Sequence, residues 1–545
     1  MGVDLLNRSS YEFLSSSKSF ECTLGKRKYF SFSSFQQQPP KKERRLFGPT
    51  LEDGFWDIIS SSAKQPNLEV IRSCNGKVML SNLSFMPSAK PRVYKTIGLK
   101  EGEGTYGLVF TVIDIDNPEK ELVMKISVAN SNFFAEVSAL NFLNSKKTTP
   151  NVPQLHDWFI TDKLPPNSGH WGKISDSLKK SSQFKNISKY PVGYLILEKA
   201  NAGALASFTK NHCSGYQKDI WKLVDSILFQ LLFTASALPE SSVIHRDIGG
   251  YNIMLTSTDD IKENYLNFRV GKQLFRFEKQ PIKPLLIDYG TANILEIGSS
   301  LKTDFRYTTL RYRAPEMIFL SSKPTGTLQP IFTPATDLFS IAMSVIEMVL
   351  GDFTEHKDGK KYYNHPFMSH NPPPLLHFKL KQLSKQLQID ENNFKIDCAT
   401  RMWYGTLHSG FLTVDESLLL SRYIWGMYME LGIPNNRMWP GVEDTHVWSI
   451  MNEVIQNQKR LNLVYPTEGG LLLRGNGKLR QLLSEDQISC LLSMLRFNPK
   501  HRPSPAAILK SEIFDEYSIS PSEVSTLSSA FWSVSGTPLQ ATQQF

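Results

Sequence analysis

The chain has 545 residues, of which 41% are hydrophobic and 21% are charged, and its formal net charge is +9; this composition is ordinary for a folded protein. Five widely spaced cysteines without a CxxC pair argue against a disulfide framework and against a zinc site. The net charge alone does not predict a nucleic-acid partner. The apolar stretch near 338–350 is too short to span a bilayer and contains Glu347, so we expect no membrane partner either.

Both ends of the chain are predicted to be disordered. Residues 1–50 are rich in Ser, Gln, Lys and Arg without a sustained period, and residues 516–545 are rich in Ser, Thr and Gln. The stretch 51–94 is an N-terminal extension after the first tail. Two basic clusters in that tail, 26–28 and 41–45, are separated by 12 residues, as in a bipartite nuclear import signal. We therefore expect a nuclear location, with the cytoplasm as a second one; a solvated run of charges is the alternative.

The remaining residues, about 95–515, are predicted to form one folded region with two parts. Gly-rich punctuation and alternating β-branched residues predict strands in 95–128, within a first part of about 95–198. Long apolar helices are predicted at 216–237 and 336–350, within a second part of about 199–515. A strand-rich part that precedes a helix-rich part predicts an α+β fold with a small first lobe and a larger second lobe. Three stretches read as insertions into this fold: 161–190, 256–280 and the polar, Pro- and Lys-rich 352–412.

A glycine-rich segment follows the first strand and reads Gly102-Glu103-Gly104-Thr105-Tyr106-Gly107-Leu108-Val109. A lone GxGxxG is a weak signal, because ordinary turns and dinucleotide-binding folds contain it as well. Here a strand follows the glycines rather than a helix, which favours a loop that covers nucleotide phosphates. Glycine lets the backbone approach phosphate oxygens without a Cβ clash.

Two charged residues follow this loop. Lys125 lies one strand later, and Glu136 lies in a segment whose apolar residues recur roughly at helical spacing. A lysine can neutralise the α- and β-phosphates of ATP, and an acid can hold that lysine in place. The alternative for Glu136 is a solvated helix face. Phe133 and Phe134, earlier in the same helix, are either core residues or an apolar face for a partner.

An HRDxxxxN segment runs from His245 to Asn252 and continues into an apolar strand. Asp247 can accept the proton of a substrate hydroxyl, and Asn252 can bind Mg²⁺. Asp288 follows another apolar strand and supplies a second Mg²⁺ ligand. Because Mg²⁺ prefers oxygen ligands and keeps several waters, one Asp and one Asn suffice for a site.

In this order and at these spacings, the motifs resemble those of the eukaryotic protein kinase superfamily. Three segments resemble its cyclin-dependent-kinase-like (CMGC) branch: GEGTYG at 102–107, TLRYRAPE at 309–316, and LGIP with WPGV within 431–442. The third is the most specific, because ATP chemistry does not require it. The resemblance implies a bilobal kinase that uses ATP and Mg²⁺. It also implies transfer of the γ-phosphate to a Ser or Thr before a proline in a protein substrate, with a cyclin as a regulatory partner.

The resemblance also assigns roles to single residues. The catalytic residues would be Asp247, Lys125, Glu136, Arg246 and Thr309. The residues that bind the nucleotide would be Gly102, Glu103, Gly104, Thr105, Tyr106, Gly107, Val109, Val123, Lys125 and Glu198. Phosphorylation of Thr105 or Tyr106 would inhibit the enzyme, because it adds nearly two negative charges beside the ATP phosphates. Arg313 would help to select the proline, and Arg502 can pair with Glu316.

Two positions depart from the family. Gly249 stands where the family has a catalytic-loop lysine, and losing such a donor typically costs roughly 3–4 kcal/mol, or about 10²–10³ in rate. This favours the alternative of a pseudokinase scaffold that binds ATP and docks cyclins; the retained Lys125 and Asp247 oppose it. Asp304 stands where the family has its activating threonine. We hypothesise that Asp304 is a fixed substitute paired with Arg246, and an ordinary exposed aspartate is the alternative.

The first tail carries a further resemblance, to the cyclin-docking motif of the Cip/Kip inhibitors. The matching segment is Arg44-Arg45-Leu46-Phe47-Gly48-Pro49. Leu46 and Phe47 would fill an apolar groove, while Arg44 would meet its acidic rim.

Overall fold

The structure is a computed structural model of the chain. It describes residues 58–60, 93–104, 107–146, 149–161, 192–208, 220–240, 243–259, 261–294, 309–319, 333–350, 353–355, 361–363, 365–367, 370–391, 414–460, 478–520 and 532–534. The tail 1–50 and most of the extension 51–94 lie outside these residues, so their predicted character stays a prediction.

The first lobe is built on a six-stranded antiparallel sheet. Its strands are β1 (Ile58–Ser60), β2 (Val93–Gly104), β3 (Gly107–Asp114), β4 (Asn117–Val128), β5 (Leu155–Thr161) and β6 (Val192–Glu198). They pair in the order β1-β2-β3-β4-β6-β5. One side of the sheet buries a small core of its own, because β-branched and aromatic side chains alternate along the strands. That core includes Tyr94, Phe110, Met124, Phe159 and Tyr194.

The helices follow mostly in the second lobe. They are α1 (Ser131–Lys146), α2 (Ile220–Glu240), α3 (Pro334–Leu350), α4 (Pro374–Glu391), α5 (Val414–Leu431), α6 (His446–Arg460), α7 (Lys478–Leu482), α8 (Glu485–Met494) and α9 (Pro505–Leu509). A strand-rich lobe followed by a helical lobe confirms the predicted α+β architecture.

Helix α1 packs on the sheet of the first lobe. Asn130 caps its start, since Oδ1 of Asn130 accepts the backbone N–H of Asn132 at 3.0 Å and of Phe133 at 3.2 Å. Phe133 and Phe134 are 2% and 1% exposed. The ring of Phe133 lies so close to Gly193 of β6 that a Cβ there would approach it to 2.5 Å. Both phenylalanines are therefore core residues rather than a face for a partner.

Helix α2 forms the centre of the second lobe. By length and composition alone it could cross a membrane, but 89% of the window Trp221–Glu240 is buried inside the protein. That is the environment of a core helix. Helix α3 packs on α2, and every residue of α3 from Thr336 to Leu350 is buried.

Short strands frame the loops between the two lobes. They are β7 (Val243–Ile244), β8 (Ile253–Ser257), β11 (Ile282–Leu286) and β12 (Asn293–Ile294), with β9 (Tyr265–Val270) and β10 (Gln273–Glu278) inside the predicted insertion 256–280. β8 pairs with β11, and β7 pairs with β12. The loop between β7 and β8 and the residues after β11 therefore lie side by side.

Hairpin β9–β10 is part of a four-stranded sheet that the C-terminal segment completes. β15 (Ser518–Ile519) pairs with β10, and β16 (Trp532–Val534) runs parallel to β9. The prediction that 516–545 is disordered is therefore wrong for the residues of this segment that are described. Without a partner, the two edges of the hairpin would expose unpaired backbone N–H and C=O groups. The backbone of the C-terminal segment can bond to these groups even though its side chains are mostly polar.

The described parts of 352–412 belong in part to the core of the second lobe. They are β13 (Phe353–Glu355), β14 (Lys361–Tyr363), residues 365–367 and helix α4. His365 and Phe367 are fully buried, and the ring of Phe367 lies 5.4 Å from that of Tyr423 on α5. The polar average composition of this stretch hides the few apolar residues that anchor it.

Candidate active site

The centre of the site is a buried cluster of one lysine and two carboxylates. Nζ of Lys125 on β4 lies 2.9 and 2.7 Å from the two carboxylate oxygens of Glu136 on α1, and 2.8 Å from Oδ1 of Asp288. Burial disfavours the ammonium form, but the two carboxylates outweigh it and raise the pKa of Lys125. Burial also opposes the charged form of Asp288, and Lys125 again outweighs it, so the pKa of Asp288 is lowered. Lys125 is thus a fixed positive charge where the two lobes meet.

The backbone aims Asp288 at this lysine. Asp288 adopts the left-handed region (φ 65°, ψ 65°), which is unfavourable for a residue with a Cβ and is typical of functional sites. His245 supports the same turn, because its Nε2 lies 3.0 Å from the carbonyl oxygen of Ile287. Burial lowers the pKa of His245 to about 4, so the ring is neutral and donates this hydrogen bond.

Asp247 lies beside Thr309 at the edge of the cluster. The backbone N–H and hydroxyl of Thr309 donate to Oδ1 of Asp247 at 3.1 and 3.4 Å. The side-chain amide of Asn252 donates to the carbonyl oxygen of Asp247 at 2.8 Å and to its Oδ2 at 3.2 Å. Burial raises the pKa of Asp247 to about 8, Asp288 adds to the rise, and these hydrogen bonds oppose it. A carboxylate that readily takes up a proton is suited to act as a general base.

Arg246, next to Asp247, is held from two sides. Asp337 at the start of α3 accepts the backbone N–H groups of His245 and Arg246, each at 2.9 Å. Nε of Arg246 donates to the carbonyl oxygen of Thr291 at 2.5 Å, and the Arg246 backbone has φ 72°. These bonds fix the backbone immediately before Asp247. Sequence reasoning missed the part that Asp337 plays here.

Two side chains of the site, Asn252 and Asp288, carry oxygen atoms of the kind that Mg²⁺ binds. Since the Asn252 amide nitrogen donates to Asp247, its Oδ1 is the atom left to accept or to bind a cation. The N–H of Ile287 donates to the Asn252 carbonyl at 2.8 Å, which brings Asn252 next to Asp288. One amide oxygen and one carboxylate fit a Mg²⁺ ion that keeps its waters.

Glycines of the glycine-rich segment end β2 at Gly104 and begin β3 at Gly107. Gly102 pairs with Val109, and Gly104 pairs with Gly107. A Cβ on Gly107 would lie 2.6 Å from the carbonyl oxygen of Ile126, so the close approach of β3 to β4 requires glycine there. The side chain of Glu103 and the whole of Thr105 and Tyr106 lie outside the residues that are described.

The remaining predicted nucleotide residues line the same strands. Val109 on β3 pairs with Lys125, and Val123 on β4 pairs with Leu197; both valines are half-buried. Glu198 ends β6, and its carboxylate accepts the N–H of Gln154 at 3.2 Å. These positions lie on the adjacent strands β3, β4 and β6, and β4 also carries Lys125.

Gly249, which replaces the family lysine, has no room for a side chain. A Cβ there would lie 2.5 Å from Cδ2 of Tyr312. The Tyr312 hydroxyl donates to Glu347 of α3, and Arg311 pairs with the same carboxylate. Sequence reasoning missed this cluster. Its signal was Glu347, the one charge inside the apolar stretch 338–350.

The end of the 309–316 segment is tied to the second lobe. Arg502 donates to the two carboxylate oxygens of Glu316 at 2.7 and 2.6 Å, which confirms the predicted ion pair. Arg313 is 4% exposed, and the Tyr423 hydroxyl donates to its carbonyl oxygen at 2.8 Å. The remaining predicted residues lie outside the described part of the chain: Asp304, Arg44, Leu46 and Phe47.

A sequence model of the protein kinase domain matches residues 96–514. Serine/threonine-protein kinase mig-15 of Caenorhabditis elegans is 24% identical over 309 residues, which are 56% of this chain and 23% of that protein. Myosin-IIIa of Mus musculus is 24% identical over 60% of this chain and 16% of its own length. Mitogen-activated protein kinase 1 of Oryza sativa subsp. japonica is 21% identical over 57% of this chain and 65% of its own length. The match thus spans less than a quarter of the first two relatives.

Among solved structures, the CAK complex of Chaetomium thermophilum bound to ATP-gamma-S aligns with a TM-score of 0.42 and 16% identity. The alignment covers 77% of this chain and 90% of that chain.

Proposed function

Since the chain belongs to the protein kinase family, we propose that it transfers the γ-phosphate of ATP to serine or threonine hydroxyls of protein substrates. The observation that carries the proposal is the buried contact of Lys125 with both Glu136 and Asp288. Three ionisable groups are expensive to bury, and clusters of this kind concentrate at functional sites, where they act on a charged ligand.

Each residue of the site has a task in this reaction. Lys125 binds the α- and β-phosphate oxygens of ATP, and Glu136 holds Lys125 in place. Asn252 and Asp288 would hold Mg²⁺, which offsets negative charge on the phosphates. Asp247 takes the proton of the substrate hydroxyl while the hydroxyl oxygen bonds to the γ-phosphorus. The bond from that phosphorus to the β-phosphate oxygen breaks, and ADP leaves.

We also propose a preference for proline after the acceptor residue. The support is the resemblance of 309–316 to the cyclin-dependent-kinase-like branch. Because Arg313 is buried and its carbonyl is bound by Tyr423, it would shape the proline pocket from behind rather than contact the proline. Regulation by a cyclin and a nuclear location are proposed from the first tail, through the motif 44–49 and the two basic clusters.

The second candidate is a pseudokinase scaffold that binds ATP and docks cyclins without efficient transfer. Gly249 favours it, because no side chain at that position can stabilise the moving phosphoryl group. The joint retention of Lys125, Asp247 and Asp288 favours the enzyme, because a scaffold does not need a base beside a phosphate-binding lysine.

The test is phosphate transfer from labelled ATP with Mg²⁺ to a library of Ser-Pro and Thr-Pro peptides and their Ser-Ala and Thr-Ala counterparts. The purified chain is compared with Asp247→Asn. A matched control is Asp225→Asn, which neutralises another buried aspartate whose partners are Gln487 and Tyr517, away from the site.

Transfer that is lost in Asp247→Asn and kept in Asp225→Asn supports the kinase. Equal use of the proline and alanine peptides would refute the proline preference alone. No transfer with or without added cyclins, while ATP still binds, would favour the scaffold.

A further inference from the structure

A buried carboxylate lies beneath the segment that carries Thr309. Glu347 of α3 is 0% exposed, and its two oxygens face two neighbours in that segment. Oε1 pairs with the guanidinium of Arg311, and Oε2 accepts the hydroxyl of Tyr312. A carboxylate that loses its water needs an opposite charge as well as hydrogen bonds. Arg311 supplies that charge, and 20% of its side chain stays exposed.

The ring of Tyr312 is a second contact between this segment and the loop that carries Asp247, besides the hydrogen bonds of Thr309 to Asp247. A Cβ on Gly249 would lie 2.5 Å from Cδ2 of the ring, and a Cβ on Gly250 would lie 3.1 Å from both Tyr312 Oη and Glu347 Oε2. Both glycines follow Ile248, the residue after Asp247, in this loop. The ring therefore packs on the Asp247 loop at Gly249 while its hydroxyl binds Glu347, and Gly250 of the same loop lies close to that carboxylate as well.

Tyr312 is also tied to Thr309 through the backbone. The N–H of Tyr312 donates to the carbonyl oxygen of Thr309 at 3.0 Å and closes a short turn. The carbonyl oxygens of residues 311, 312 and 313 each accept a hydrogen bond of 2.8 Å; the donors, in that order, are His365, Ser340 and Tyr423. These three bonds anchor the backbone of the turn, and the side chains of Arg311 and Tyr312 anchor it to Glu347; losing Arg311 should therefore loosen the turn without unfolding the lobe.

We propose that Arg311 is a positioning residue, which keeps Asp247 and Thr309 at the spacing that phosphoryl transfer needs. This proposal rests on the proposed function. The effect of Arg311 passes through Glu347 and Tyr312. With Arg311 present, Glu347 is a neutralised acceptor that holds the Tyr312 hydroxyl. Without Arg311, the carboxylate is an uncompensated charge in a dry site and must take up a proton or admit water. Either change releases the ring, and with it the spacing between Asp247 and Thr309.

The test compares Arg311→Gln and Arg311→Lys in the full chain. In Arg311→Gln we expect kcat to fall about 10- to 100-fold, since small displacements at a reacting centre have effects of this size. We expect KM for ATP to change less than about two-fold, because Lys125 lies in a separate cluster. Lysine restores the charge, so Arg311→Lys should recover most of kcat. The double variant Arg311→Gln/Glu347→Gln leaves no buried charge and should fold, but it should remain slow.

A second readout does not depend on transfer. Amide hydrogen exchange of residues 309–313 should be slow in the unaltered chain, faster in Arg311→Gln and slow again in Arg311→Lys. The control is Lys379→Ala, which removes the ion pair of Lys379 with Glu453 in the same lobe and should leave this exchange unchanged. Unchanged exchange in Arg311→Gln overturns the proposal whether or not transfer is detected. An equal loss of kcat in the Gln and Lys variants does so as well. If exchange is slow in the unaltered chain and in Arg311→Lys and faster in Arg311→Gln, but no variant transfers phosphate, the kinase function is refuted. The control of the 309–313 turn by Arg311 then still stands.

Discussion

Gly249→Lys would give the protein the residue that the family carries two positions after the catalytic aspartate. The contacts around Gly249 predict that the change destabilises the protein and does not activate it. A Cβ there would lie 2.5, 2.6 and 3.3 Å from three atoms of the Tyr312 ring, well inside van der Waals contact. The ring cannot simply swing away, because Tyr312 is 1% exposed and its hydroxyl is bound to Glu347.

The size of the effect follows from these contacts. Overpacking a well-filled site costs about 1–3 kcal/mol. Displacing Tyr312 also leaves a buried carboxylate without its donor, which costs about 1–3 kcal/mol. We expect Gly249→Lys to lower the free energy of unfolding by about 2–6 kcal/mol, the sum of those two ranges. Gly249→Ala carries the same Cβ and should show most of this loss. Urea unfolding measures both variants, and the peptide transfer assay follows the rate.

A double-mutant cycle provides the control. In a Tyr312→Ala background the ring is gone, so Gly249→Ala should cost almost nothing further. Gly250→Ala is the matched neighbour; its closest contacts would be 3.0 and 3.1 Å, so its cost should be smaller. A Gly249→Lys protein as stable as the unaltered chain, with faster transfer, would refute the reasoning.

Three further predictions concern other parts of the structure. Arg502→Leu should lower the free energy of unfolding by about 3–5 kcal/mol, because the buried Glu316 loses its ion-pair partner. Urea unfolding measures this loss, and part of it should be recovered in Arg502→Leu/Glu316→Gln. Burial lowers the pKa of His365 to about 3, so below pH 6.5 only the unfolded chain takes up this proton. Because of His365, the free energy of unfolding should therefore fall by about 2 kcal/mol between pH 6.5 and pH 5. Urea unfolding at both pH values should show this decrease in the unaltered chain and not in His365→Gln. Lys125→Met should reduce the affinity for ATP about 10- to 100-fold, as measured by titration calorimetry. An unchanged affinity would show that the lysine does not contact the phosphates.

Much of the fold is predictable because it repeats locally. Alternation in β3 and β4 and the long apolar run of α2 are visible within single segments. The sheet that joins β9 and β10 to β15 and β16 is not, because strands of two or three residues have no period. Their pairing depends on a partner about 250 positions away.

The candidate site divides in the same way. The residues of the HRDxxxxN segment and Lys125 stand in motifs whose spacing carries their chemistry. The structure adds contacts between distant residues: Asp337 with the backbone at 245–246, and Glu347 with Tyr312. Glu347 was visible as the one charge in the apolar stretch 338–350, and a buried charge requires a partner. The partner's identity depends on tertiary packing and cannot be read from spacing.

The pairing of β15 and β16 with the hairpin β9–β10 has a consequence for synthesis on the ribosome. The hairpin leaves the ribosome about 240 residues before β15, with both edges open. Its partners emerge only after the whole helical lobe has been made. Until then two unpaired strand edges, backed by the phenylalanines at 268, 275 and 277, are exposed to other nascent chains. The second lobe is therefore most prone to aggregation just before its last strands arrive, and a protein cut before residue 518 would keep that vulnerability permanently.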